Sequence, residues 1–447
     1  MSALSMARRA RVAMLWSRHF EARALGCSAV SQALAEGSGL AEALGRIALG
    51  ITAVKAGEVE PGLADLRRAR ALCAGLTDPD PVLVSYINLG CGLRLAGRLD
   101  EAVAVNLEGY ELACATDDVD RRGGLLLANA AEAEFALGHW DRAQTLAQQA
   151  IQRSADELAW LAGYRIIGKI AAMRAHDVVG LLPHAPTGIA AAIPVRPAEA
   201  RCRHLADAER ALWAGRADVA RQRLRDVWSS IVDTGEATLS GQLLALRLRA
   251  ETEPQIVAEL LQHTARLAPL PEQQAFARQC QAEATGHRDA WQASVCGWDR
   301  LGRPYEAAYC RWRWAEALLL SRADPALART VLVEAAETAT GLGAIALHQQ
   351  IQALARLHRV PMTALAASPS PSAEAQFGLT PREREVLACI TAGWSNRQIG
   401  QQLYISPKTV SVHISSILRK LDVANRCEAA GIARRIGLLA QPPLSRG

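Results

Sequence analysis

Small residues return at a forty-residue step through the first half of this chain, and that recurrence limits the fold more than any other feature. Gly50, Ala53, Gly57, Gly62, Leu66 and Ala69 are followed, forty residues on, by Gly90, Leu93, Gly97, Ala102, Asn106 and Gly109. Ala131, Glu134, Gly138, Ala143, Ala147 and Ala150 give a third copy, and Ala208, Gly215, Ala220, Leu224 and Val227 a degraded later one. Small side chains at helical intervals let two helices approach closely. One glycine of each copy (57, 97, 138, 215) falls near the middle, where a chain reversing out of a helix wants a residue free to adopt positive φ. The pattern predicts helical hairpins stacked one on the next.

Composition agrees. Half of the 447 residues are hydrophobic, with many Ala and Leu and only 4% aromatic, which favours helices packed through small side chains over β-sandwiches. The offsets resemble those of tetratricopeptide repeats, although the usual tryptophan and terminal proline are mostly missing and the period exceeds the usual ~34 residues. The expectation is an all-α fold: a TPR-like helical-repeat superhelix over 1–360, with a possible break near 183–197. Asp78 to Pro81, Asp117 to Arg122 and Pro183 to Pro197 read as connectors, and a second helical set runs from about Ala198 to Leu357. The opening, MSALSMARRARVAMLWSRHFEAR, reads as an amphipathic helix, because its apolar run breaks at Ser17-Arg18-His19 with no clean cleavage site after it. No run approaches the ~18 apolar residues that would span a membrane, and the chain reads as cytoplasmic. The ten cysteines are scattered, with no C-x-x-C pair, and read as reduced and mostly buried.

After His358-Arg359-Val360 the texture changes. Residues 361–376, PMTALAASPSPSAEAQ, are rich in Ala, Ser and Pro and read as a flexible linker. Beyond it, 377–440 carries the start signals of four short helices. Thr380-Pro381-Arg382-Glu383 and Ser395-Asn396-Arg397-Gln398 are capping boxes, Ser406-Pro407 pairs an N-cap with proline at N1, and Asn425 to Glu428 repeats the box spacing. Only Tyr404-Ile405 separate the second helix from the Ser406 cap, which is helix-turn-helix punctuation over about 396–415. At roughly 100° per residue, Val410, Ile414, Ile417 and Leu421 share one narrow buried stripe of the third helix. Lys408, Ser411, Val412, Ser415 and Arg419 lie opposite, with Thr409, His413 and Lys420 on a flank. Charge is concentrated here. Leu379 to Ile436 holds nine Lys/Arg against four Asp/Glu, whereas the whole chain has 50 against 45, so the rest sums to zero. A short helix with an apolar back and a small, polar, basic front has the size and chemistry to enter a major groove.

Four groups of residues carry a resemblance to the C-terminal DNA-binding domain of LuxR-type bacterial transcription regulators. They are Leu379-Thr380-x-Arg382-Glu383-x-Glu385-Val386-Leu387, Gly393-x-Ser395-Asn396-x-x-Ile399, Ile405-Ser406-x-Lys408-Thr409-Val410-x-x-His413 and Lys420-Leu421-x-Val423-x-x-Arg426. The resemblance covers about 60 residues. It implies a small four-helix domain whose third helix reads bases in double-stranded DNA, whose fourth often supports a homodimer on DNA, and in which Glu385 meets Arg419 or Lys420. Ser411 departs from the Lys or Arg usual in the family, which bears on affinity and sequence preference. Ala430-Gly431 departs from a larger aliphatic residue, which bears on dimer strength. Trp298 to Leu319 resembles the stretch that precedes this domain in large ATP-dependent LuxR regulators, and Trp298, Trp312 and Trp314 read as packing residues between helices.

Chemical motifs are few. Gly163-Tyr164-Arg165-Ile166-Ile167-Gly168-Lys169-Ile170 has the glycine and lysine spacing of a phosphate-binding loop. Ile170 stands where Ser or Thr would hold Mg²⁺, and the surroundings are helix-periodic, so the two glycines read as easing helix packing. With no catalytic, metal or cofactor constellation, the expectation is a regulator that is not an enzyme. The expected DNA contacts are Asn396, Arg397, Lys408, Thr409, Ser411, Val412, His413, Ser415, Arg419 and Lys420, and the repeats would receive a protein or small-molecule signal. The alternative is an interaction scaffold with vestigial or non-specific DNA binding.

Overall fold

The computed structural model describes residues 1–116, 122–153, 157–174, 197–233, 239–322 and 324–362, and then 383, 386–387, 389–390, 394–403, 406–421, 423, 426 and 429. The chain divides into two compact units, Met1–Met362 and Thr363–Gly447. Among the described residues there is no β-strand, and the helices form repeat-like hairpins, as the sequence predicts.

Unit one opens with α1 (Ala3–Leu15), α2 (His19–Glu36), α3 (Gly39–Lys55), α4 (Val59–Cys73), α5 (Pro79–Leu95), α6 (Leu99–Ala115), α7 (Gly124–Ala136), α8 (Trp140–Arg153) and α9 (Glu157–Met173). After it come α10 (Pro197–Trp213), α11 (Ala217–Asp226), α12 (Ser240–Ala250), α13 (Pro254–Thr264) and α14 (Pro271–Thr285). The unit closes with α15 (Arg288–Arg300), α16 (Pro304–Ser321), α17 (Pro325–Leu342) and α18 (Ile345–Leu357). Helices pack on their successors and on the next but one, as α3 does on α4 and α5, and α7 on α8 and α9.

Capping fixes many starts. Ser2, Ser38, Asp78 and Asp324 each accept a backbone N–H two or three residues on, and Pro79, Pro254, Pro271, Pro304 and Pro325 begin their helices. Asp78 to Pro81 is therefore the capped start of α5 and not a connector. The expected connector at 117–122 lies outside the described residues except Arg122, as does the 183–197 break except Pro197, the first residue of α10.

The recurring small residues sit where the hairpins close. Gly57, Gly97, Gly138 and Gly215 all have positive φ, between 72° and 89°, at the reversal between paired helices. Gly50 and Gly62 mark the crossing of α3 on α4, where a Cβ on Gly62 would stand 2.6 Å from the Gly50 carbonyl oxygen. Leu66, Ala69, Ala102, Ala143, Ala147, Ala220 and Leu224 are all buried in these contacts. Two recurring positions behave differently. Asn106 is buried and donates to the Ala102 carbonyl at 2.7 Å, and Glu134 is buried against Arg142 (2.9 Å) and His139 (2.7 Å). These two are polar partners in small-residue slots.

Gly163 to Ile170 lies inside the uninterrupted helix α9, so it forms no phosphate-binding loop. Gly163 does ease packing, since a Cβ there would meet the Ala147 carbonyl oxygen at 2.7 Å, whereas Gly168 has nothing within 4 Å. Trp298 is fully buried and donates to Gln279 at 3.1 Å, Trp312 is buried, and Trp314 is half-buried against the same core. Burial pushes the Cys73 thiol up to about 11 and raises those of Cys280 and Cys310 further, which leaves them as inert packing groups.

Candidate nucleic-acid interface

Unit two is built on a core of Val386, Leu387, Cys389, Ile390, Ile399, Val410, Ile417 and Ala429. Its described helices are α19 (Asn396–Leu403) and α20 (Pro407–Leu421), and residues 383, 386, 387, 389 and 390 are also helical. The cap ahead of α19 closes in both directions. The Gln398 N–H reaches Ser395 Oγ at 3.4 Å, and the Ser395 N–H reaches Gln398 Oε1 at 2.8 Å. Ser406 then caps α20, accepting the Thr409 N–H at 3.0 Å. Three residues thus separate two helices whose starts are both fixed by hydrogen bonds, and a helix-turn-helix results.

The periodicity of α20 translates into burial. Val410 and Ile417 are wholly buried, while Ile414 and Leu418 pack half-buried on the same core. On the other side Thr409, Ser411, Val412, Ser415 and Arg419 are exposed, and His413 is half-buried. Asn396 crosses the turn, its amide donating to Ser411 Oγ at 3.1 Å, so two of the expected contact residues from different helices are joined. The Thr409 hydroxyl lies 2.8 Å from that of Ser406. The side chains of Arg397 and Lys408 lie outside the described residues.

Lys420 is held inward. Its ammonium donates to Glu383 Oε2 at 2.7 Å, while Glu383 Oε1 accepts the Ser416 hydroxyl, also at 2.7 Å. Glu383 is 4% exposed, so one buried carboxylate ties the first helix to two positions a turn apart on α20. Sequence reasoning assigns Glu383 to a capping box and the ion pair to Glu385. Thr380 and Glu385 both lie outside the described residues, and the acid seen on Lys420 is Glu383. The available signal was Ser416 and Lys420 at i and i+4. A second tie was also missed: Arg426 donates to the Trp394 carbonyl at 2.5 Å, joining the region after α20 to the start of α19.

This geometry, a capped helix-turn-helix with a small polar and basic outer face, defines a class of bacterial regulatory domain, and comparison with known proteins places it. Residues 378–433 match the bacterial regulatory proteins of the luxR family. Over 57 residues the chain is 51% identical to the transcriptional regulatory protein LiaR of Bacillus subtilis, covering 13% of this chain and 27% of that one. Over 51 residues it is 57% identical to the transcriptional regulatory protein DegU of Brevibacillus brevis, covering 11% and 22%. The HTH-type transcriptional activator RamA of Corynebacterium glutamicum is 41% identical over 61 residues, covering 14% and 22%. The chain thus spans about a quarter of the length of these relatives, and the segment that matches the family lies in unit two. Residues 378–433 are a LuxR-type helix-turn-helix domain.

Proposed function

We propose that this protein is a cytoplasmic, sequence-specific DNA-binding transcription regulator, and not an enzyme, whose helical repeats receive a protein or small-molecule signal. The observation that carries this reading is the two-sidedness of α20. Its buried stripe is spent on the domain core, while Thr409, Ser411, Val412, Ser415 and Arg419 face solvent on a basic segment of the chain. Such a helix fits a major groove, where Ser and Thr pair with several base edges, Arg favours guanine and an apolar group meets the thymine methyl. Arg397 and Lys408 would meet phosphates on either side of the turn. Asn396 would position Ser411, and Lys420, anchored on Glu383, would hold α20 at its angle to the first helix. A homodimer would present two such faces to two half-sites one helical turn apart.

Selection of bound duplexes from a random-sequence library by the full chain tests this. One enriched motif with paired half-sites is expected, with affinity falling steeply as salt rises. Recovery of unenriched sequences at equal affinity would overturn sequence-specific binding and leave the scaffold reading.

A further inference from the structure

Among the described residues twelve large hydrophobic side chains stand exposed, and five of them, Met1, Val12, Leu15, Trp16 and Phe20, lie in the first twenty residues. Leu15 is 71% exposed, Trp16 74% and Phe20 94%. The helical period of α1 explains the first of these. Ala3, Ala7, Ala10, Ala13 and Met14 form its buried back, so small side chains supply its packing on unit one. Arg8, Arg9, Val12, Leu15 and Trp16 fall on the opposite face, and all are exposed. Phe20 follows as the second residue of α2. The reversal between the two helices is fixed, because the Ser17 N–H donates to the Met14 carbonyl at 3.0 Å and the Arg18 N–H to that of Ala13 at 2.9 Å, with Ser17 at a φ of 56°. The reversals at Gly57, Gly97, Gly138 and Gly215 carry no exposed large apolar side chain, so this tip is apolar for a reason other than folding.

Charge accompanies the tip. Residues 1–20 hold Arg8, Arg9, Arg11 and Arg18 and no Asp or Glu. Arg18 reaches Glu21 at 2.9 Å, but among the described residues no acid pairs with Arg8 or Arg9, and Arg9 instead donates toward Met1 Sδ at 3.5 Å. A second copy of the chain on this face would bring arginine to arginine with no acid between them. Nucleic acid would satisfy the arginines but offer Leu15 and Phe20 no apolar surface. A protein would need a groove deep enough to enclose the tip, with acids at its rim. A bilayer of anionic lipid supplies both halves, apolar depth and negative phosphates above it, without any match of shape.

We propose that the exposed face of α1, with Phe20, is a docking surface for an anionic membrane. Leu15, Trp16 and Phe20 enter between the headgroups, and Arg8 and Arg9 meet the lipid phosphates. From Arg8 to Trp16 the helix rises about 12 Å, so the tip can be immersed while the arginines stay level with the phosphates. This attachment is peripheral. It goes beyond the regulator reading and does not depend on it.

Flotation of the full chain with lipid vesicles tests the proposal. Vesicles of equimolar phosphatidylcholine and phosphatidylglycerol are expected to carry the protein upward. Binding should be at least about tenfold weaker on phosphatidylcholine alone and should fall as salt rises. Trp16→Ser with Phe20→Ser, and separately Arg8→Gln with Arg9→Gln, should each weaken binding to the anionic vesicles at least about tenfold while circular dichroism is unchanged. Trp16→Phe should still float, yet lose the quenching of tryptophan emission by bromine-labelled lipid that the unaltered chain shows. Absence of flotation, or equal flotation with neutral vesicles, would overturn the proposal. Unit two is basic as well, so binding indifferent to both double variants would assign the attachment there and overturn the proposal too. Lipid-free self-association abolished by the Trp16 and Phe20 variant would give the face to a second copy. Weaker binding of random DNA by that variant would give it to nucleic acid, and either result overturns the membrane assignment. Duplex selection is read separately, so failure of the regulator reading leaves this surface untouched.

Discussion

Val412 is 64% exposed on α20, an apolar side chain that contributes little to the core at its back. In the proposed DNA-reading orientation it would pack on a thymine methyl, and its effect would then be confined to the preferred sequence. Val412→Ala is expected to cost about 1 kcal/mol at the selected site and leave random DNA unaffected. Equal loss on both, measured by competition binding, would show that this residue reads no sequence. Val410, two positions earlier, is wholly buried, and the contrast between these neighbouring valines follows from the helical period alone.

Between elements, contact is decided atom by atom, and two glycines show opposite outcomes. Gly62→Ala gains about 1 kcal/mol of helix propensity. The new Cβ would stand 2.6 Å from the Gly50 carbonyl oxygen and 2.9 Å from the Val54 nitrogen, backbone atoms that move only if α3 and α4 separate. Overpacking of that kind costs about 1–3 kcal/mol, so a net loss of stability is expected. Gly168→Ala meets nothing within 4 Å and should instead stabilise by about 0.5–1 kcal/mol. Thermal unfolding of the two variants should shift in opposite directions, and a shared direction would refute the packing account. Charge also couples elements. Glu132 on α7 meets Arg165 on α9 at 2.5 Å and Arg94 on α5 at 3.5 Å. Burial alone would raise its pKa, but Arg165, Arg94, Lys169 and Arg303 bring it down to about 2, from an ordinary 4.5. A carboxyl depressed in the folded state stabilises fully above its unfolded pKa and loses that contribution as pH falls toward the folded value. The gap corresponds to about 3 kcal/mol, fading between about pH 5 and pH 2. Glu132→Gln should flatten this acid limb in melts recorded across that range; an unchanged slope would show that other carboxyls set it.

At the scale of the whole molecule, the two units have separate cores. Unit two closes its own around Val386, Ile399, Val410 and Ile417 and ties its helices through Glu383, Lys420 and Arg426. A piece spanning 363–447 is therefore expected to fold alone, to show helical circular dichroism and to bind DNA weakly as a monomer. An unfolded spectrum would mean that this core needs the repeats.

Local and periodic features could be read from the residues alone. Positive-φ glycines at 57, 97, 138 and 215, the boxes at Ser395 and Ser406, and the buried back of α20 all follow from interactions within a few residues or from the 3.6-residue period. Even the connector misread at Asp78 to Pro81 is local, because Asp followed by Pro serves a turn and a helix start equally well. Tertiary structure alone decided what depends on neighbours distant in sequence. It chose Glu383 as an acid for Lys420, 37 residues away, and made Gly163 a packing site while leaving Gly168 open. No periodicity records such pairings, because they are set by how whole helices cross, and the crossing is fixed only when every side chain between them has been packed.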